Sequence, residues 1–134
     1  MYELFEGKKE VRTVKEKEDT NSFQKIKKKL KFERDIDLVI LCTSIGLYRT
    51  KIKKSDVKEN NFRLTKLVNI PTFENARFFD FIILTFLNIE TNRMHEFESY
   101  FYTGFKILKE WYNNNDQNMN NTLERYSSII DDLI

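Results

Sequence analysis

The sequence predicts a mostly helical single domain, a compact bundle of four or five helices with or without one small β-element. Two observations predict this class. Apolar residues recur at helical spacing in several segments, and residues that commonly cap helices stand ahead of those segments. The length of 134 residues is that of about one domain.

The composition favours a cytoplasmic protein with an aromatic core. The chain contains 12 Phe and 6 Tyr, so aromatic packing is expected to dominate its interior. The one cysteine, Cys42, excludes an internal disulfide and is expected to be a small buried side chain in a reducing compartment. The amino terminus is charged and lacks the apolar core of a signal peptide.

The net charge of +2 hides a division between the two halves of the chain. Residues 1–66 carry 18 Lys and Arg against 11 Asp and Glu, a net +7, whereas residues 67–134 carry 5 against 10, a net −5. Such a division predicts either a polyanionic partner for the first half or self-association through opposite patches.

Four segments are predicted along the chain. Residues 1–20 mix charges of both signs and are expected to form a flexible arm with at most one short strand, at Val11–Val14. Residues 21–112 form the helical core domain, and residues 113–121 form an Asn-rich linker. Residues 122–134 form an amphipathic helix that begins at Thr122 and either folds back or reaches a partner.

The apolar run FFDFIILTFL, from Phe78 to Leu87, is predicted to be the middle of a core helix around which the other elements are organised. It is too short for a membrane span, which needs ~20 apolar residues, so no membrane partner is expected. Thr72 and Asn75 can cap a helix here, which favours a helix over the alternative of a buried strand. Asp80 interrupts the run and is expected to pair locally with Arg77.

Two helices are predicted ahead of this run. The segment FQKIKKKLKF places Phe23, Ile26 and Leu30 on one helical face and lysines on the rest. The next segment, DLVILCTSIGLY, is expected to pack against the Phe78–Leu87 helix. Its Gly46 serves either as a terminator or as a point of close packing.

A strand or extended segment is predicted at residues 62–70, FRLTKLVNI, where apolar residues partly alternate with polar ones. Pro71 ends this segment because proline cannot continue a ladder of hydrogen bonds. Residues 55–61 are polar and are expected to form a loop.

The most regular apolar pattern lies between residues 94 and 112, where seam residues are spaced three and four apart as in a heptad. A stripe this short is more often an intramolecular packing face. It is also a candidate interface for a homo-oligomer, most simply a dimer. The candidate interface residues are Phe97, Phe101, Gly104, Leu108 and Trp111.

The residues do not predict an enzyme, and no catalytic residue, metal site or cofactor is expected. His95 and Glu98 have the spacing to share a helix face, but no further ligand accompanies them in the sequence. Cys42 and Ser44 fall within an apolar helix, where substrate would not reach a nucleophile.

Basic residues form two clusters, one on the first helix and one after the second. If these helices are antiparallel or steeply crossed, the clusters converge on a patch that contacts phosphates of DNA. Lysine dominates the clusters, which favours backbone contact over base readout. The alternative is an adaptor or interaction subunit that binds a protein partner and no nucleic acid. The candidate residues are Lys25, Lys27, Lys28, Lys29, Lys31, Arg34, Arg49, Lys51, Lys53 and Lys54.

Two segments, DLVILCTSIGLYR at residues 37–49 and FESYFYTGFKIL at residues 97–108, carry a resemblance to a known family. In the first, an Asp-initiated apolar helix ends in Gly46 followed by Leu47, Tyr48 and Arg49. In the second, an aromatic residue, an acid and a tyrosine precede Gly104 and two aliphatic residues. This pattern resembles the small DNA-phosphorothioation-associated proteins, encoded beside bacterial DNA sulfur-modification systems. The resemblance implies an accessory role in an antiphage or DNA-modification system.

Overall fold

The computed structural model describes residues 4–8, 10–15, 17–50, 67–69 and 76–134. These residues form five α-helices and one two-stranded antiparallel sheet, so the mostly helical prediction is confirmed. The elements are β1 (Glu10–Arg12), α1 (Lys17–Lys29), α2 (Asp35–Thr50), β2 (Leu67–Asn69), α3 (Ala76–Phe81), α4 (Arg93–Asn115) and α5 (Thr122–Leu133). A π-helical turn, Ile82–Phe86, continues α3, and a 3₁₀ turn, Asp116–Asn118, joins α4 to α5.

The long helix α4 forms the centre of the protein. It offers buried side chains along its whole length, from Met94 to Tyr112, and packs against α2 over a long face. The predicted seam is an intramolecular packing surface that contacts several elements: Gly104 lies against α2, Phe97 against the Phe79 ring, and Trp111 against α5. Its members Phe97, Phe101, Gly104, Leu108 and Trp111 are all buried.

Two glycines allow α2 and α4 to touch along their backbones. A Cβ atom added at Gly46 would overlap the carbonyl of Tyr100, and one added at Gly104 would overlap the carbonyl of Cys42. Gly46 therefore acts as a point of close packing within α2, which continues to Thr50, and does not terminate the helix. This contact also means that α2 packs mainly on α4, and the prediction that it packs on the Phe78–Leu87 helix is wrong.

The Phe78–Leu87 segment is a helix, as predicted, but it lies at the edge of the bundle. Phe79 and Ile83 point inward, and the Phe79 ring meets Phe97 edge to face with centroids 5.7 Å apart. Three other aromatic rings of the segment are more than half exposed: Phe78 (60%), Phe81 (51%) and Phe86 (77%). The expectation that this run organises the core is therefore corrected in favour of α4.

The amino-terminal segment, expected to be a flexible arm, packs on the core instead. Its Phe5, Val11 and Val14 side chains are buried, and β1 pairs with β2 so that Val11 lies opposite Val68. Arg12 forms a double hydrogen bond with the buried Glu98 carboxylate, at 2.7 Å from Nη2 to Oε1 and 2.7 Å from the backbone N to Oε2. Arg12 thus binds the amino-terminal segment to α4.

Asp80 anchors the same segment. Its buried carboxylate accepts hydrogen bonds from the Phe5 backbone N–H and from Arg93 Nε, both at 2.7 Å. Arg77 is exposed, and the expected Asp80–Arg77 pair is replaced by an ion pair with Arg93 of α4. The second charge is buried as well, so each of these two ions neutralises the other away from water.

The terminal helix α5 folds back on its own chain. Ile129 and Leu133 are buried against the core, and Trp111 Nε1 lies 3.3 Å from both Ser128 Oγ and Asp132 Oδ2. The residues expected to form an Asn-rich linker continue α4 to Asn115 and then form the 3₁₀ turn.

Several predicted elements fall outside the described residues. They are the loop at residues 55–61, the capping residues Thr72 and Asn75, Pro71, and all but residues 67–69 of the extended segment at 62–70. None of the described helices is both long enough and apolar enough to cross a membrane.

Candidate nucleic-acid interface

A groove of about 690 Å³ lies between the end of α1 and the start of α5. One wall carries the lysines of α1 and of the turn that follows it. The other wall carries the residues that begin α5. The lining residues are Lys25, Lys28, Lys29, Lys31, Asn120, Asn121, Thr122 and Arg125.

The sequence of α1 determines why its lysines face this groove. Phe23, Ile26 and Leu30 recur at helical spacing and are buried, which leaves the lysines between them on the outer surface. The last turn of a helix also favours cations, because its carbonyl groups carry partial negative charge. One wall of the groove is therefore the solvent-exposed, lysine-rich face of the amphipathic helix α1.

Lys31 reaches the groove from an unusual backbone conformation. It has a φ of 63° and sits just past the helix end, where its N–H bonds the carbonyl of Lys28 at 3.1 Å. The N–H of Phe32 bonds the carbonyl of Lys27 at 3.1 Å. Together these two bonds form a Schellman motif, in which the left-handed position is usually glycine. A lysine there keeps a charge at the mouth of the groove in a strained position.

The start of α5 contributes backbone polarity to the opposite wall. Asn121 caps the helix, since its Oδ1 accepts a hydrogen bond from the N–H of Glu124 at 2.9 Å. Glu124 in turn accepts from the Asn120 N–H at 2.9 Å. These two bonds fix the first turn of α5, whose partially positive amino end lies opposite the lysines in the lining of the groove.

Arg125 forms part of the floor of the groove and is not a free cation. Its Nε lies 2.6 Å from Asp116 Oδ1, and the residue is only 7% exposed. The Asp116–Arg125 pair connects the 3₁₀ turn to α5 and fixes the position of Asn120–Thr122. Its contribution is to hold the wall in place.

The structure divides the predicted basic residues into two groups. Lys25, Lys28, Lys29 and Lys31 are exposed and line the groove, with Lys25 Nζ also 5.8 Å from the centre of the Tyr112 ring. Lys27 is paired with Asp35 at 2.9 Å, and Arg34 is paired with Asp37 at 2.9 Å. The lysines at 51, 53 and 54 lie outside the described residues.

Arg49 does not line the groove, and the other three residues of its predicted cluster lie outside the described residues, so the convergence of the two clusters stays a prediction. Its guanidinium donates to the carbonyls of Asp132 and Leu133, at the carboxyl end of α5. The groove lies at the other end of this helix, roughly 17 Å away for a helix of this length at 1.5 Å per residue. Arg49 instead caps the carbonyl end of α5, where a cation is favoured.

Sequence reasoning missed the second wall of the groove. The composition of residues 113–121 predicts a linker, whereas the spacing of Asn121 and Glu124 is that of a capping box and indicates the start of α5. Fold-back of α5 onto α1 could not be seen in this spacing. It depends on contacts such as the stacked rings of Phe32 and Tyr126, with centroids 6.3 Å apart.

No family model, curated protein or solved structure matches the chain. Four exposed ammonium groups and a helix amino end form a concave surface suited to anionic oxygens, and lysine contacts phosphate as a point charge without selecting a base.

Other groups in the described residues are arranged for structure. Cys42 is buried, and burial raises the pKa of its thiol, which disfavours the reactive thiolate. Ser44 Oγ donates to the Ile40 carbonyl within α2 at 2.9 Å. His95 is exposed beside the Arg12–Glu98 pair, and no cluster of three potential metal ligands occurs in the part of the chain that the structure describes.

Proposed function

We propose that this protein is a non-enzymatic accessory protein that binds the phosphate backbone of DNA through the basic groove. One observation carries the proposal: Lys25, Lys28, Lys29 and Lys31 line a single groove. Their opposite wall is the amino end of a 12-residue helix. The lysine wall attracts anionic oxygens by charge, and the amino end of α5 adds a partial positive charge that the Glu124 carboxylate, bonded to the Asn120 N–H, offsets in part.

The non-enzymatic part of the proposal is supported by the positions of the nucleophilic side chains. Cys42 is fully buried with a raised thiol pKa, and the Ser44 hydroxyl is engaged with its own helix. The groove itself offers lysines, asparagines and a threonine. These groups can bind and position an anion. Catalysis would require, in addition, an acid, base or nucleophile activated by a neighbouring group.

The test is titration of labelled duplex DNA with the full chain, followed by fluorescence anisotropy at several salt concentrations. Each phosphate contact releases counterions, so four contacts predict a slope of log affinity against log salt between about −3 and −4. Reversing Lys28, Lys29 and Lys31 to Glu is expected to weaken binding at least about tenfold. Affinity that does not respond to salt or to this variant would refute the proposal.

A matched control separates the groove from net charge. Lys8, Lys15 and Lys106 are exposed and do not line the groove, so their reversal to Glu changes the net charge equally. This control is expected to retain most of the affinity of the parent protein. Equal loss in both variants would show that DNA responds only to overall charge.

Lys31 allows binding to be separated from folding. Lys31→Gly removes one ammonium group and relieves the left-handed backbone position, which costs a non-glycine residue about 1 kcal/mol. The variant is therefore expected to bind DNA more weakly while unfolding at a higher denaturant concentration. Binding as tight as that of the parent protein would show that Lys31 does not contact DNA.

The biological setting of the proposal comes from the resemblance to DNA-phosphorothioation-associated proteins. An accessory protein of a DNA-modification or antiphage system would act near DNA, which agrees with a backbone-binding groove. A direct test is to compare phosphorothioated and unmodified duplexes of one sequence. Backbone contact by lysine predicts similar affinities for the two, since both carry the same charge.

A protein-interaction subunit is the second candidate function, favoured by the exposed rings of Phe78, Phe81 and Phe86. Aromatic residues are enriched at protein interfaces because they bury a large apolar area. A protein that ignores DNA but loses a partner on Phe78→Ser and Phe86→Ser substitution would favour this function over the first.

A further inference from the structure

The outer face of α5 carries an apolar stripe that the protein's own core does not cover. Leu123 is 73% exposed, Ile130 59%, Ile134 45% and Tyr126 37%. These positions are three, four and four residues apart, so they share one face of the helix. The buried residues Ile129 and Leu133 lie on the adjoining side of the helix, so the apolar surface of α5 is wider than the part that packs within the chain.

Charge differs between the two edges of this stripe. Glu124 and Asp131 are exposed, and their helical positions place both on the outer edge. The inner edge borders the end of α1, where Tyr126 donates a hydrogen bond to the Leu30 carbonyl and its ring stacks on Phe32. The exposed lysines of the groove, among them Lys28 and Lys31, lie on this inner side.

We infer that this stripe pairs with the same stripe of a second copy of the chain, the two α5 helices running parallel about a two-fold axis along their length. Symmetry decides the direction. A two-fold axis along the helices brings the acidic edge of each copy opposite the lysine edge of the other. An antiparallel pair would instead place acid against acid and lysine against lysine, which opposes association.

The positions of the charged residues along the axis of α5 agree with the parallel arrangement. Lys31 lies near the beginning of the helix, because its neighbour Leu30 accepts from Tyr126. Glu124 stands one turn or less from that level in the sequence of α5. In a parallel pair, Glu124 of one copy faces Lys28 and Lys31 of the other, while Leu123 and Ile130 meet their own counterparts across the axis.

The pairing is expected to be reversible. A contact made by a 12-residue helix and the adjoining Phe32 ring is smaller than the roughly 1,600 Å² of a standard stable interface. The dimer should therefore form at high micromolar concentration and dissociate on dilution. Its formation does not depend on DNA, so failure of the DNA proposal leaves this inference intact.

Sedimentation equilibrium of the full chain without DNA measures the association. Ile130→Asp introduces a charge into the stripe and is expected to raise the dissociation constant at least about tenfold, with an unchanged helical circular dichroism spectrum. Thr91→Asp is the matched control, because it adds the same charge at an exposed position outside α5, and it should leave association unchanged. A protein that stays monomeric at the highest concentration, or a dimer that Ile130→Asp does not weaken, overturns the inference.

Disulfide trapping tests the direction of the helices. Leu123→Cys is expected to form a covalent dimer under mild oxidation, since position 123 meets itself in a parallel pair, whereas Lys106→Cys on the exposed side of α4 is not. The native Cys42 is buried and does not interfere. Trapping only in a mixture of Leu123→Cys and Ile134→Cys chains would show an antiparallel pair and overturn the charge argument.

Discussion

At the scale of single residues, the contact of α2 with α4 depends on Gly46 and Gly104. Each lacks the Cβ atom that would meet the opposite backbone, and the Gly46 nitrogen lies 2.8 Å from where a Cβ on Gly104 would stand. Backbone atoms cannot rotate away as a flexible side chain can. The glycine pair therefore sets how closely the two central helices approach.

Gly104→Ala is expected to destabilise the protein by at least about 2 kcal/mol, because the helices must separate to admit one methyl group. The free energy of unfolding from urea denaturation measures this. Lys106→Ala, an exposed position on the same helix, is the control and should stay within about 0.5 kcal/mol of the parent protein. An unchanged midpoint for Gly104→Ala would contradict the close-packed geometry.

Asp80 supports a second residue-scale prediction. Asp80→Ala removes the nearer of the two carboxylates paired with the buried Arg93, at 2.7 Å against 4.0 Å for Glu6, and removes the acceptor for the Phe5 N–H. Breaking a buried pair from one side costs about 3–5 kcal/mol. Glu18→Ala is the comparison: its side chain is 85% exposed in the pair with Lys109, so it should cost less than about 1 kcal/mol. Similar losses for the two variants, measured by urea denaturation, would argue against a buried Asp80 pair.

At the scale of elements, the sequence predicts which segments are helical but not which helix is the most deeply buried. The Phe78–Leu87 run is the most apolar stretch, yet three of its rings are exposed, whereas α4 buries Glu96, Glu98 and Arg93. A hydropathy value describes the free energy of transferring an isolated side chain out of water, and it does not include a partner supplied by a distant part of the chain. The cost of burying the Glu98 carboxylate is offset because Arg12, 86 residues earlier in the chain, donates a hydrogen bond to it.

Neighbouring isoleucines on α5 give an element-scale prediction. Ile129 is 3% exposed and packs on the core, while Ile130 is 59% exposed. Ile129→Asp would place an unpaired charge in an apolar site and is expected to detach α5 or unfold the protein. Ile130→Asp should leave the thermal midpoint of the dilute monomer nearly unchanged. Thermal melts followed by circular dichroism compare the two, and equal effects would show that α5 does not dock as described.

At the scale of the whole molecule, the sequence predicted the helical class and the basic surface of α1, because both follow from local periodicity. It did not predict which end of the bundle the basic surface shares with α5. That arrangement depends on long-range contacts, such as Trp111 with Ser128 and Arg49 with the end of α5. The amino-terminal segment illustrates the same limit, since Arg12 pairs with Glu98, 86 residues later in the chain.

The dependence of stability on alkaline pH also belongs to the whole molecule, because three groups on the two central helices, one on α2 and two on α4, act in one direction. Burial raises the pKa of the Tyr100 hydroxyl to about 12, with a smaller contribution from the charge of Glu96. Burial likewise raises the pKa of the Cys42 thiol. The pKa of Lys109 on α4 is raised chiefly by its hydrogen bond to Asp19 of α1, at 3.0 Å.

Each of these groups holds its proton more tightly in the folded protein than in the unfolded chain. The stability that they contribute is therefore complete below their ordinary pKa values and is lost as pH rises through the raised ones. For Tyr100 this window runs from about pH 10 to about pH 12. We expect the thermal midpoint to fall steadily across that window.

Tyr100→Phe tests this account, because it removes the ionisable hydroxyl and keeps the buried ring. The hydroxyl has no hydrogen-bond partner among the described residues, so its loss is expected to leave stability at neutral pH unchanged or slightly higher. Above pH 10 the variant should lose less stability than the parent protein. Tyr48→Phe, at a side chain that is 48% exposed, is the control and should follow the parent curve. Thermal melts between pH 7 and pH 11 separate the outcomes, and parallel curves for Tyr100→Phe and the parent protein would mean that Tyr100 ionises in the folded state as easily as in the unfolded chain.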